Sequence, residues 1–217
     1  MDLTGKTICF LGDSITCGGG ASSHDKCFIE LLKAEYPQTR MLNYGAGGTR
    51  IARQKKSSRN IDYDKDFLSR VCTMEKGADY VIVFGGTNDY GSGDAEMGVL
   101  GNKDPYTFMG AMQVLTEYLV NVYGKDKVCY ILPIPRLNED DPHGAVQKET
   151  ACYPLNAYRE AQKSVLNHYG VDFIDLSNVF PMPTSDNGDA VTVDGLHPND
   201  RGHRIIADAI KSYFQKI

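Results

Sequence analysis

Residues 7–16 read TICFLGDSIT, an apolar run that ends in a glycine followed by an acid and a hydroxyl. The stretch Thr7–Leu11 is long enough for a buried strand and too short for an independent helix. Gly12 is typical of a turn at the end of such a strand, and Asp13 and Ser14 follow it directly. The segment therefore predicts a first strand that places Ser14 at its carboxyl end, close to the start of the next helix.

Short apolar runs alternate with longer amphipathic runs along the rest of the chain. Further strands are predicted over Met41–Tyr44, Tyr80–Phe84, Val128–Leu132 and Val171–Asp175. Helical spacing of apolar residues covers Cys27–Tyr36, about 62–73, 105–123, Leu155–Tyr169 and Asn199–Gln215. Such alternation indicates a parallel sheet covered by helices on both faces. We therefore expect one α/β domain over residues 1–217, with a five-stranded parallel sheet.

Composition and charge restrict the classes of partner. The 217 residues carry a net charge of −5, and the short basic run from Arg53 to Arg59 is interpreted as a solvated face. We therefore expect no nucleic-acid partner. The first apolar stretch is too short for a signal peptide or a membrane span, so we expect a cytoplasmic protein without a membrane span. The six cysteines form no CxxC pair and no zinc-like cluster, so we expect free thiols and no metal.

Parallel sheets bind ligands at the carboxyl ends of their strands, so chemical residues should follow the strands directly. Two polar segments are expected to be loops at the surface. Pro133–Pro154 is charged and poor in large apolar residues, and we expect it to lie over the site. A second exposed loop is expected over 181–190.

Polar motifs do follow the predicted strands. After the second strand, residues 43–49 read NYGAGGT, and their glycines would let a backbone N–H approach a substrate closely. After the third strand, residues 85–89 read GGTND and offer a side-chain amide. Near the C-terminus Asp194 precedes His197 by three residues, which lets the carboxylate orient the imidazole as a base for Ser14. Each motif alone is also typical of a turn or a helix cap.

Taken together, the four motifs resemble those of the SGNH (GDSL-type) hydrolase family, in the family order from Gly12 to His197. The resemblance implies a flavodoxin-like, three-layer α/β/α sandwich and hydrolysis of a small-molecule ester without a cofactor. It implies Ser14 as nucleophile, His197 as general base and Asp194 as the acid that orients the base. Cys17 lies three residues after Ser14, but the resemblance favours the serine.

The same resemblance implies an oxyanion hole. Its donors are the N–H groups of Ser14 and Gly48 and the side chain of Asn88, with Gly45 as the alternative to Gly48. Substrate contact is further expected from three residues that adjoin these motifs, Asp13, Tyr44 and Tyr90, although packing is an equal alternative for the two tyrosines.

The substrate is less defined by the sequence. The polar segment Pro133–Pro154 favours a short acyl group, such as acetyl, on a polar or carbohydrate alcohol. A lysophospholipase or thioesterase-like acylhydrolase is the alternative. A non-catalytic binding module would be expected to lack Ser14, Asn88 or His197. A dinucleotide-binding protein is disfavoured because Gly18–Gly20 does not provide the GxGxxG order.

Overall fold

A five-stranded, all-parallel sheet forms the centre of the protein. The computed structural model describes residues 2–184 and 190–217, so part of the second predicted loop, 185–189, lies outside the described residues. The strands are β1 (Thr7–Gly12), β2 (Arg40–Gly45), β3 (Tyr80–Phe84), β4 (Val128–Ile131) and β5 (Asp172–Ile174). Their order is β2-β1-β3-β4-β5. The predicted fold class, with five parallel strands, is confirmed.

Six α-helices connect and flank the strands in the described ranges. They are α1 (Phe28–Glu35), α2 (Phe67–Arg70), α3 (Thr87–Ser92), α4 (Phe108–Tyr123), α5 (Leu155–Tyr169) and α6 (Asp200–Lys216). Helix α4 begins after Thr107, whose side chain accepts the Gly110 N–H, rather than at Pro105. No helix in the described part of the chain is long and apolar enough to cross a membrane.

The helix predicted over 62–73 is not continuous. It is replaced by the 3₁₀ turn Ile61–Asp64, the single turn α2 and the 3₁₀ turn Val71–Thr73. Asp66 interrupts the segment because its carboxylate accepts the Ser69 N–H and starts a new helix there. Helix α3 was not predicted, since its TNDYGS sequence has low helix propensity and no apolar periodicity.

Alternate residues of each central strand enter two separate hydrophobic cores. In β1, Cys9 and Leu11 face the core that includes α4 and α5, whereas Ile8 and Phe10 face the core that includes α1 and α6. This period of two is the geometry of a strand buried on both faces. The sheet is therefore the middle layer of an α/β/α sandwich.

The strand order places a topological switch next to β1. The chain leaves β1 for β2 on one side and then crosses to β3 on the other. The connections that follow these strands therefore separate at the carboxyl end of β1, which is where open α/β sheets form ligand clefts.

Candidate active site at the carboxyl end of the sheet

Ser14 lies in a series of turns directly after β1. The buried Asp13 side chain accepts the Ile15 N–H at 3.0 Å, and the Gly19 N–H donates to the Ser14 carbonyl at 2.8 Å. These bonds hold the Ser14 side chain half-buried at the sheet edge. The next helix begins only at Phe28, so Ser14 is presented by turns and not by a helix start.

A chain of hydrogen bonds links Ser14 to an acid through His197. The Ser14 Oγ lies 2.9 Å from His197 Nε2, and His197 Nδ1 lies 2.7 Å from Asp194 Oδ2. The other oxygen of Asp194 accepts the backbone N–H groups of Leu196 at 3.0 Å and His197 at 2.7 Å. Partial burial opposes ionisation, but these hydrogen bonds hold the pKa of Asp194 below its usual value. The anionic acid therefore fixes the ring with Nε2 facing the serine hydroxyl.

Two glycines allow the serine loop to pack directly against the histidine segment. A Cβ added at Gly19 would lie 2.8 Å from the Ser14 carbonyl oxygen and 3.1 Å from His197 Cδ2. A Cβ at Gly20 would lie 2.3 Å from the Pro198 carbonyl oxygen. The run Gly18–Gly20, which the sequence analysis considered for dinucleotide binding, therefore allows the close packing that brings Ser14 and His197 within hydrogen-bond distance.

The loop after β2 carries the two glycines that were alternatives for the oxyanion hole. The Gly45 N–H donates to Asn43 Oδ1 at 2.8 Å, and the Gly47 N–H is directed at the Cys17 thiol. Gly48 has φ = +71°, and its N–H has no acceptor among the described residues. The geometry thus favours Gly48 over Gly45 as an oxyanion donor. Burial raises the pKa of the Cys17 thiol, so this cysteine is not an activated nucleophile.

Asn88 and Asp89, on the first turn of α3, hold this loop in place. Asn88 Nδ2 donates to the Thr49 carbonyl at 3.0 Å, which uses one of its two hydrogens. The buried Asp89 carboxylate accepts the N–H groups of Ile51 at 3.0 Å and Ala52 at 2.9 Å. The second hydrogen of the Asn88 amide remains for a ligand at the same edge of the sheet.

Arg70 is a supporting residue that the sequence analysis missed. Its guanidinium donates to the carbonyl groups of Gly12 and Tyr44, at the carboxyl ends of β1 and β2, at 3.0 and 2.7 Å. It also donates to Thr49 Oγ1 at 2.9 Å. The side chain therefore joins the serine loop to the glycine loop, a role that no local sequence signal could have indicated.

Tyr63 is a second residue that was missed. A Cβ added at Gly48 would lie 2.4–2.7 Å from three atoms of the Tyr63 ring, so the ring rests directly on the glycine. The ring is 41% exposed and therefore faces both Gly48 and solvent. Tyr63 is an aromatic wall of the site beside the candidate oxyanion hole.

Three residues expected to contact substrate also support the structure around the site. Asp13 is 1% exposed, and burial raises the pKa of its carboxyl group to about 7. The Tyr44 hydroxyl accepts the Glu75 N–H at 3.0 Å. Tyr90 is 1% exposed and donates to the Asn138 carbonyl at 2.6 Å. Substrate contact by these side chains stays a prediction, and their buried or already bonded polar atoms show a supporting role for each of them.

The long loop Pro133–Pro154 adjoins Asp194. The Leu137 N–H donates to the Gly195 carbonyl at 2.7 Å, next to Asp194. The loop is tied to the core by the buried Arg159–Glu139 ion pair, with N–O distances of 2.8 and 2.9 Å. Among the described residues, no group of three or more His, Cys, Asp or Glu side chains is placed to hold a metal ion.

Comparison with known proteins agrees with this geometry. Residues 10–205 match the model of the GDSL-like lipase/acylhydrolase family. A search of the curated proteins found no match. The chain resembles the crystal structure of a protein from Lactobacillus plantarum with 30% identity and a TM-score of 0.82, and the match covers 99% of each chain.

Two further solved structures show the same fold. The lipase/acylhydrolase from Enterococcus faecalis is 19% identical, with a TM-score of 0.67 over 97% of this chain and 96% of that one. The acetyl xylan esterase AlAXEase is 24% identical, with a TM-score of 0.65 over 95% of this chain and 98% of that one. With the family model covering residues 10–205, the chain belongs to the GDSL-like lipase/acylhydrolase family and is an ester-bond hydrolase.

Proposed function

We propose that the protein is a serine esterase in which Ser14, His197 and Asp194 form the catalytic triad. The observation that carries this proposal is the unbroken chain from Ser14 Oγ to His197 at 2.9 Å and from His197 to Asp194 at 2.7 Å. The donors of the oxyanion hole are the N–H groups of Ser14 and Gly48 and the side-chain amide of Asn88.

The reaction follows from the position of each group. Ser14 Oγ attacks the ester carbonyl while His197 Nε2 takes its proton, and Asp194 stabilises the imidazolium. The three donors bind the oxyanion of the tetrahedral intermediate. His197 then gives the proton to the departing alcohol oxygen, which leaves the acyl group on Ser14. A water molecule activated by the same imidazole releases the acid and restores the serine.

The preferred substrate is a short acyl ester, such as an acetate, of a polar or carbohydrate alcohol. The cavity that adjoins Asp194 is polar, and the exposed Tyr63 ring covers one side of Gly48. The large apolar groove of about 670 Å³ lies elsewhere, between β5 and α6, and no triad residue lines it. A lysophospholipase or thioesterase-like activity would need apolar volume at the triad itself.

The cellular compartment is part of the same proposal. All six cysteines are free thiols, and two of them, Cys17 and Cys72, are exposed to solvent. Exposed free thiols persist in a reducing compartment, so the cysteines support a cytoplasmic location.

Initial rates on p-nitrophenyl esters from acetate to palmitate test the function. Ser14→Ala and His197→Ala should each lose at least about 1,000-fold in kcat. Ser57→Ala and His168→Ala, at exposed positions outside the site, are the matched controls and should keep the parent rate. Full activity of Ser14→Ala would show that the serine mechanism is wrong. A preference for long acyl chains over acetate would refute the substrate class while leaving the triad intact.

A further inference from the structure

A polar cavity of about 230 Å³ lies beside the acid of the triad. One wall is the first half of the long loop, residues 136–147, and the other is the segment Asp194–Leu196. The two walls are joined by the bond from the Leu137 N–H to the Gly195 carbonyl. The loop is also held from below, where the Val146 N–H donates to the Gly91 carbonyl at 3.2 Å. The cavity is therefore built into the fold and needs no rearrangement to form.

Arg136 contributes a buried guanidinium to this cavity. The residue is 7% exposed, and its Nη1 donates to the carbonyl and hydroxyl oxygens of Thr87 at 3.2 and 3.1 Å. Its Nε is fully buried and has no hydrogen-bond partner among the described residues, and none of the side chain's hydrogen bonds uses Nη2. The guanidinium also lies over the Tyr90 ring, 5.2 Å from the ring centroid. A buried donor without an acceptor is costly, so the fold retains an unmet hydrogen-bonding capacity at this position.

The neighbouring carboxylate does not neutralise Arg136. Glu139 accepts the backbone N–H of Arg136 at 3.1 Å, but its carboxylate pairs with the guanidinium of Arg159. No carboxylate in the described ranges forms an ion pair with Arg136. This arrangement differs from that of Arg159, whose charge is matched inside the protein.

The lining of the cavity identifies the chemistry of its occupant. Arg136 and the Asn138 amide line it as donors, and the carboxylates of Asp141 and Asp194 line it as acceptors. The Gln147 amide already donates to Asp141 Oδ2 and to the Gly144 carbonyl. Two carboxylates oppose an anionic ligand, and the guanidinium opposes a cationic one. Interleaved donors and acceptors suit a neutral compound rich in hydroxyl groups, because each hydroxyl can both donate and accept.

The cavity also adjoins the proposed triad through Asp194. Asp194 forms part of its wall and binds His197, which protonates the departing oxygen in the proposed reaction. Thr87, which binds Arg136, is the chain neighbour of the oxyanion residue Asn88.

We propose that this cavity binds the alcohol part of the substrate as a neutral, hydroxyl-rich ring, such as a pyranoside, with Arg136 as a hydrogen-bond donor to it. The proposal rests on the esterase function proposed above and defines its substrate class. It makes Arg136 a specificity-determining residue, since it contacts the alcohol and not the reacting carbonyl.

Direct binding tests the cavity without relying on turnover. Methyl β-D-xylopyranoside is titrated into full-length Ser14→Ala protein, and its affinity is measured by calorimetry. Adding Arg136→Gln should weaken binding by about 10- to 100-fold, the range for a hydrogen bond to a charged donor. Adding Arg59→Gln, which removes an exposed guanidinium outside the cavity, should leave the affinity unchanged. A charged comparison ligand, methyl β-D-glucopyranosiduronic acid, should bind more weakly than the neutral glycoside.

A second variant keeps the proposal testable if Arg136→Gln folds poorly. Ala145 is an exposed residue of the cavity wall, and Ala145→Trp fills the space while Arg136 keeps its contacts with Thr87. This variant should also lose affinity for the neutral glycoside by at least tenfold. Stronger binding of the acidic glycoside, or equal affinity for the neutral one in all variants, would overturn the proposal.

Kinetics separate the subsite from the esterase function. In protein with Ser14 intact, the ratio of kcat/KM for monoacetylated methyl xyloside to kcat/KM for p-nitrophenyl acetate should fall at least tenfold in Ala145→Trp. An unchanged ratio in an active enzyme would refute the subsite alone. Glycoside binding that depends on Arg136, in a protein inactive on every ester, would support the subsite while refuting the esterase mechanism.

Discussion

The position of the Gly48 backbone leads to a quantitative prediction for Gly48→Ala. The glycine has φ = +71°, a conformation that costs an L-residue roughly 1 kcal/mol. The added methyl group would lie 2.4 Å from Tyr63 Cδ1 and 2.5 Å from Cε1, well inside contact distance. Either the exposed Tyr63 ring or the loop backbone must therefore move.

A moved backbone would displace the N–H that is proposed to bind the oxyanion. Loss of one such donor typically lowers the rate by about 100- to 1,000-fold, or about 3–4 kcal/mol. Because Tyr63 lies on a 3₁₀ turn and is 41% exposed, part of the clash can be relieved by rotation of the ring. We therefore expect a fall in kcat of about 30- to 300-fold with little change in KM.

The double variant Gly48→Ala/Tyr63→Ala removes the clash and keeps the backbone strain. If the ring contact displaces the loop, the double variant should recover at least fivefold of the kcat lost by Gly48→Ala. Gly5→Ala is the matched control, because Gly5 has φ = +72° and nothing within 4 Å of an added Cβ. It should lose about 1 kcal/mol of unfolding free energy without a loss of kcat. The assay is p-nitrophenyl acetate hydrolysis, together with urea unfolding of each variant. If Gly48→Ala keeps kcat within threefold of the parent, the added methyl group does not displace the loop, and the predicted coupling between the Tyr63 contact and the oxyanion donor is wrong.

Three further changes test the support of the site. Asn88→Ala removes an oxyanion donor and its bond to the Thr49 carbonyl, so kcat should fall about 100- to 1,000-fold; a change confined to KM would contradict this. Asp13 has a folded pKa of about 7 against 3.8 in the unfolded chain, so its burial lowers the unfolding free energy as pH rises from about 4 to above 7. Asp13→Asn should remove roughly 3–5 kcal/mol of that dependence, seen in urea midpoints across this range, and an unchanged slope would show that Asp13 does not titrate there. His203 is buried and donates to the Gly19 carbonyl, and burial lowers its pKa, so its own contribution to the unfolding free energy falls as pH drops below about 6.5, opposite in sign to that of Asp13. His203→Gln should remove this contribution, seen as a change in the pH slope of the unfolding free energy relative to the parent between pH 6.5 and 4, and an identical slope in variant and parent would contradict it.

The strands could be predicted because each one is a short apolar run with a clear boundary. Tyr80–Phe84 is buried on both faces of the sheet, so almost every position must be apolar, and local composition alone reports it. The segment 62–73 could not be predicted because its apolar residues have helical spacing, while the cap at Asp66 divides it. A side-chain cap of this kind contributes only about 0.5–2 kcal/mol and is a weak signal in a sequence.

The residues proposed for chemistry were also accessible from the sequence, because parallel strands place their ends at one edge. Ser14, Asn88 and His197 each lie a few residues beyond an apolar run or before a helix, and the fold brings Ser14 Oγ within 2.9 Å of His197 Nε2. Arg136 and Tyr63 were not accessible in this way. The role of each depends on a contact with a residue distant in sequence: Arg136 binds Thr87, and Tyr63 packs on Gly48. Such contacts depend on how two loops meet, and no local pattern encodes that.

This division has a physical consequence for specificity. The proposed catalytic side chains follow the carboxyl ends of the strands. The parallel sheet therefore fixes their positions, as it does in other open α/β folds. The proposed recognition groups lie on the loop after β4, which is fixed to the core by the buried Arg159–Glu139 pair and by the bond from Lys148 Nζ to the Asp89 carbonyl at 3.4 Å. A loop held by buried charges cannot adapt freely to different alcohols, because moving it would leave those charges unpaired. The substrate preference of this enzyme should therefore change most through substitutions on residues 136–147, while substitutions at the strand ends change the rate on every ester.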